Sequence, residues 1–176
     1  DAGTLHDMRS ISKSVVALLV GIAHGKGLID LERPVMDWFP RHAALATPQR
    51  RAIRLEHLLT MTAGFEWDES SVSYGSFANS ETRMGLSIDP VAHVLSRDMV
   101  AAPGSRFAYC GGATLLLAHI VERATGRAVD DFARDALFAP LGIHRFEWRR
   151  HPLWRQASPY SGAVRRRGRT ARELAG

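Results

Sequence analysis

The sequence predicts a mostly α fold. Apolar residues recur at helical spacing through the first 143 residues. Glycines and prolines fall where those runs should stop and start. Extended signals are confined to "SRFAY" at 105–109 and "HRFEW" at 144–148.

The elements follow in order. Ser10 to about His24 reads as a helix, with Val15, Leu18, Leu19 and Ile22 on its apolar stripe and "GKG" at its end. Pro34 and Pro40 bound a short helix or turn. A second helix is expected from Leu55 to Thr62, with Leu55, Leu58, Leu59 and Met61 toward a core and Gly64 as its stop. Residues 66–86 are polar and rich in Gly and Ser, and read as one long connection. Asp89 and Pro90 open a further helix as cap and first residue. "GATLLLAHIVERATG" is the clearest helix, ended by Gly126. "VDDFARDALFAPLGI" is amphipathic and ends at Pro140 and Gly142. No pattern is legible after Trp148.

Composition narrows the function. The chain has 176 residues, 45% of them hydrophobic, enough to bury one core. Its longest apolar run, Val15 to Ala23, is too short to span a bilayer. The single cysteine, Cys110, allows no intrachain disulfide and leaves the redox compartment open. It has no metal-ligand spacing around it, and no His pair forms H-E-x-x-H, so neither a metal nor a cofactor is expected. The net charge of +5 comes almost wholly from arginine, and "RRRGRTAR" runs from Arg165 to Arg172 near the end. No aromatic residues interleave that run as a base-stacking surface requires, so it reads as a solvated tail and no nucleic-acid partner is expected.

The chemistry lies at Ser10-Ile-Ser-Lys13. Residues three apart share a helix face, so the Ser10 hydroxyl and the Lys13 amine can meet. A serine becomes a nucleophile when a base takes its proton. A lysine serves if burial or a nearby cation favours its neutral form. The helix N-terminus adds a field and an N–H group for a developing oxyanion. Arginine could not act as the base, and Lys13 and Lys26 are the only lysines in this arginine-rich chain. A helix cap is the alternative reading of Ser10.

Four landmarks carry a resemblance. "LHDMRSISKSVVALLVGIAHGKGLIDLERPV", "RLEHLLTMTAGFEW", "PGSRFAYCGGATLLLAHIVERATGR" and "LFAPLGI" resemble, in order and spacing, the serine beta-lactamase-related family of class C-like beta-lactamases, penicillin-binding DD-peptidases and esterases. The resemblance covers roughly residues 5–148. It implies the helical part of that family's α/β (α+β) fold with the terminal strands of the sheet missing. It gives a partial hydrolase domain over 1–148 and an Arg-rich tail over 149–176 that does not match. It also implies acyl transfer on a small ester or amide substrate, with Ser10 as nucleophile, Lys13 as its proton partner and Tyr109 as a second acid or base.

Two departures refine this. The family's Y-x-N motif reads Tyr109-Cys110-Gly111, so position 111 offers no side-chain amide. That favours an esterase or amidase over a potent beta-lactamase, with Gly111 and Trp67 as expected substrate-binding positions. Cys110 reads as a small buried residue rather than a second nucleophile. The family's Lys- or His-x-Gly motif is not in the chain, as expected of a shortened copy. The alternative function is a catalytically inactive relic or binding module of the same fold.

Overall fold

The computed structural model describes residues 6–150 and 157–165. Helices dominate, and they fall close to where the hydrophobic spacing put them. The long ones are α1 (Ile11–Gly25) and α6 (Gly111–Thr125), which pack against each other at the centre of the core. Around them lie α2 (Pro48–Arg51), α3 (Leu55–Leu59), α4 (Ser80–Gly85), α5 (Pro90–Leu95) and α7 (Val129–Ala133), the last running on into a wider π turn at Arg134–Phe138. Two 3-10 turns, Val35–Trp38 and Pro40–Leu45, occupy the proline-bounded stretch.

The buried stripe of α1 is Ser12, Lys13, Val15, Val16, Leu19, Val20 and Ala23. Leu18 was expected on that stripe and is 55% exposed. It lies two residues from both Val16 and Val20, and so on the opposite face of a 3.6-residue helix. α6 buries almost its whole circumference, including Leu115, Leu116, Ile120 and Val121. Burying each such side chain contributes roughly 1.5–3 kcal/mol. Gly126 ends α6 in the left-handed region at φ 66°, as its position after the last apolar turn predicts.

The second helix is shorter than expected. It stops at Leu59, and Met61 turns the chain at φ 55°. Met61 accepts a backbone hydrogen bond from Ala108, and Thr62 accepts one from Gly104. The end of α3 therefore anchors the segment leading into α6, which is irregular rather than the strand "SRFAY" suggests. Gly64 is no helix stop; it lets the Ala101 carbonyl pack where a Cβ would stand.

The long connection over 66–86 also holds a helix, α4. Asn79 is fully buried and caps it, accepting from the N–H groups of Glu81 and Thr82. Its amide donates back to the carbonyls of Val72 and Glu69. That one side chain folds the connection onto the start of α4.

Three antiparallel strands close one side, in the order β1 (His6–Asp7), β3 (Ala157–Arg165), β2 (Arg145–Arg150). Phe146 pairs with Val164 and Trp148 with Gly162, and the register shifts between Trp148 and Arg150. "HRFEW" is thus extended as expected, while β3 carries no pattern that the sequence made legible. The arginine run at 166–172 lies outside the described residues. Among the described residues no helix is long and apolar enough to cross a membrane.

Candidate active site

The start of α1 sets the site. Arg9, directly before Ser10, has φ 43°, a conformation that L side chains adopt at a cost. Two hydrogen bonds hold it there: its N–H donates to Asp7 Oδ1 at 3.0 Å, and its carbonyl accepts from Ser12 Oγ at 2.6 Å. Ser10 takes the N-cap position, yet its side chain makes no cap hydrogen bond. Its Oγ accepts instead from Lys13 Nζ at 3.4 Å. Ser10 is exposed, whereas Lys13 is 8% exposed. The hydroxyl faces solvent and the amine stands behind it.

Tyr109 joins them from the segment just ahead of α6. The Met61–Ala108 bond brings the chain up to α6, and the half-buried Tyr109 ring lies with its centroid 5.1 Å from Lys13 Nζ. The three side chains expected to act together are therefore neighbours. Next along, Cys110 caps α6, its Sγ accepting from the Ala113 N–H. Burial pushes its thiol up to about 12, which leaves it a neutral packing group.

The two positions expected to meet substrate, Gly111 and Trp67, both donate to one carboxylate. Gly111 is buried, and its N–H donates to Glu69 Oε2 at 2.7 Å. Trp67 is half-buried, and its Nε1 donates to the same oxygen at 2.6 Å. The Trp67 ring presses on α6, where a Cβ on Gly112 would lie 2.9 Å from it. On its other side Trp67 lines a cavity of about 240 Å³ with Phe65, Val100, Arg106 and Ala108. Ser10 and Lys13 are not among the residues lining that cavity. His57, in the second landmark, caps α3: its Nδ1 accepts from the Arg54 N–H at 3.1 Å.

Two acidic residues complete the site without having been expected. Glu69 is 2% exposed, and its Oε1 lies 3.9 Å from Lys13 Nζ. Glu81, on the first turn of α4, places Oε2 4.0 Å from the same nitrogen. Burial and a hydrogen bond to Glu69 push the Glu81 carboxyl up to about 8, against the opposing pull of Lys13. At neutral pH Glu81 therefore keeps its proton. Asn79, followed by an acid in the first helical turn, is a legible cap signal that would have found α4 and Glu81. Nothing in "EWDESS" separates Glu69 from a solvated acid. Among the described residues no cluster of three His, Cys, Asp or Glu side chains is placed to hold a metal ion.

Comparison with known proteins adds to this geometry. A family model described as Beta-lactamase matches residues 1–175. Penicillin-binding protein 4 of Amycolatopsis lactamdurans is 29% identical over 136 residues, which is 77% of this chain and 34% of that protein. Esterase EstB of Burkholderia gladioli is 33% identical over 156 residues, which is 80% of this chain and 37% of that protein. The chain spans about a third of the length of these relatives. Among solved structures, a penicillin binding protein from Bacillus halodurans superposes with a TM-score of 0.70 at 17% identity, covering 99% of this chain and 59% of that one. The D-amino acid amidase of Ochrobactrum anthropi SV3 does so with a TM-score of 0.62 at 22% identity, covering 89% and 42%. These structures share the fold.

Proposed function

The chain belongs to the beta-lactamase family, and from that premise we propose that it carries a serine hydrolase site of the Ser-Lys-Tyr kind, acting on a small ester or amide. One observation carries the reading: Lys13 Nζ is 3.4 Å from an exposed Ser10 Oγ that caps no helix. A capping serine would turn its oxygen to the helix N–H groups. This one turns it to the amine.

In this reading Lys13 accepts the Ser10 proton as Oγ bonds to the substrate carbonyl carbon. The departing alkoxide or amine takes a proton by way of Tyr109, close to the same amine. Water then cleaves the acyl ester and restores the Ser10 hydroxyl. The relative named esterase supports an ester or amide substrate, as does the D-aminopeptidase of Brucella anthropi, 42% identical over 45 residues or 26% of this chain. Glycine at 111 supports an esterase or amidase over a potent beta-lactamase, because no side-chain amide is offered there.

The test is covalent capture. A fluorophosphonate probe should leave its adduct on Ser10 by peptide mass mapping, and none in Ser10→Ala. Folded wild-type protein that acquires no adduct would instead be a non-catalytic member of the family.

A further inference from the structure

Gly111, the buried Glu69 and the half-buried Glu81 form one arrangement. A Cβ on Gly111 would stand 2.5 Å from Glu81 Oε2 and 2.9 Å from Glu69 Oε2, closer than any side chain could sit. The volume that a residue at 111 would fill is taken by carboxyl groups. We propose that Glu69, with Glu81 beside it, is the positioning residue for the Lys13 amine, holding Nζ against the Ser10 hydroxyl in place of a side chain at 111. The inference rests on the reading of Ser10 and Lys13 as the reacting pair.

Glu69 is built for this. Its Oε2 is pinned by two donors, Trp67 Nε1 and the Gly111 N–H, which fix the carboxylate plane. Its Oε1 is buried and accepts no hydrogen bond, and it looks toward Lys13 at 3.9 Å. Glu81 Oε2 is also buried without a hydrogen-bond partner, 4.0 Å from the same nitrogen. As carboxylates the two are acceptors only. With a proton, Glu81 becomes a donor to Glu69 and the repulsion between them goes. Asn79 supplies the frame, binding the Glu69 carbonyl and the N–H of Glu81.

The groups around Glu81 are Lys13 from α1, Glu69 and Tyr74 from the connection, and Cys110 ahead of α6, with the Tyr109 ring beside Lys13. On α5, His93 has Arg83 as its charged neighbour. Loss of the Glu81 proton thus adds a negative charge beside Nζ.

With two lysines in the chain, side-chain NMR of lysine-labelled protein reads Lys13 directly, and Lys26→Arg leaves it alone in the spectrum. Glu69→Gln keeps an oxygen for Trp67 and Gly111 and removes the charge facing Lys13. It should move the Lys13 resonance toward that of a mobile lysine and slow fluorophosphonate capture of Ser10 by about tenfold or more. Glu81→Gln, folded by circular dichroism, should erase an inflection of the Lys13 resonance near pH 8. Lys13 resonances in both variants that overlay the wild type from pH 6 to 10 would overturn the proposal. So would Glu69→Gln protein captured as fast as wild type with the same pH profile, and acyl transfer at Ser10 would then stand without it. Wild type that is never captured, with Lys13 still moved by both variants, sinks acyl transfer and leaves the placement of Lys13 by Glu69 supported.

Discussion

Glu81 makes stability depend on pH in a direction opposite to most carboxylates. Its carboxyl is held at about 8 in the folded chain against an ordinary 4.5. Below pH 4.5 it is protonated in both states and contributes nothing to the difference. As pH rises from there, the unfolded chain ionises freely while the folded one keeps its proton, so stability falls until about pH 8 and then levels. His57 and His93, held below 6.5 chiefly by burial, act the other way in acid, since charging them disfavours the fold. Above pH 6.5 that contribution is spent. Cys110, pushed up to about 12, departs from an unfolded thiol only near pH 9. Between pH 6.5 and 8 Glu81 is left to act, and at 1.36 kcal/mol per pH unit the fold loses about 2 kcal/mol. With a urea m-value of about 2 kcal/mol per M, the unfolding midpoint should drop by about 1 M. Glu81→Gln should hold its midpoint nearly level over the same interval. Midpoints of the two proteins that fall in parallel would refute the reasoning.

Ser10→Ala should leave the urea midpoint within about 0.5 kcal/mol of wild type, because the hydroxyl caps nothing; a larger loss would restore the capping role. Leu116→Ala, at a fully buried site on α6, should cost about 2–5 kcal/mol by the same measurement. Gly126→Ala forces a Cβ into the left-handed region at φ 66° and should cost about 1 kcal/mol, lowering the melting temperature. Cys110 should resist Ellman's reagent at pH 8 until denaturant is added, since burial keeps the thiol neutral; prompt reaction in the native protein would contradict its packing role.

Much of the site was legible because it is local. The serine and the lysine sit one turn apart, and helical spacing alone makes them neighbours. The helices α1 and α6 were legible for the same reason, their glycine ends included. The misses share a different cause. Leu18 was placed inward because apolar character alone does not say which face a partner helix will cover. Met61 rather than Gly64 made the turn after α3, since the backbone bonds from Ala108 to Met61 and from Gly104 to Thr62 are made by a segment distant in sequence. α4 was hidden in a polar run, although Asn79 marks its start.

The sequence by itself determined where the helices run and which hydroxyl and amine can meet, because both follow from a 3.6-residue period within one segment. Only the tertiary structure decided what surrounds that pair. Tyr109, Glu69 and Glu81 reach Lys13 from three other parts of the chain. The carboxyls fit because residue 111 has no side chain, and burial then keeps a proton on one of them. Proximity, shared volume and desolvation act between segments that no spacing relates, and so they exist only once the chain has folded.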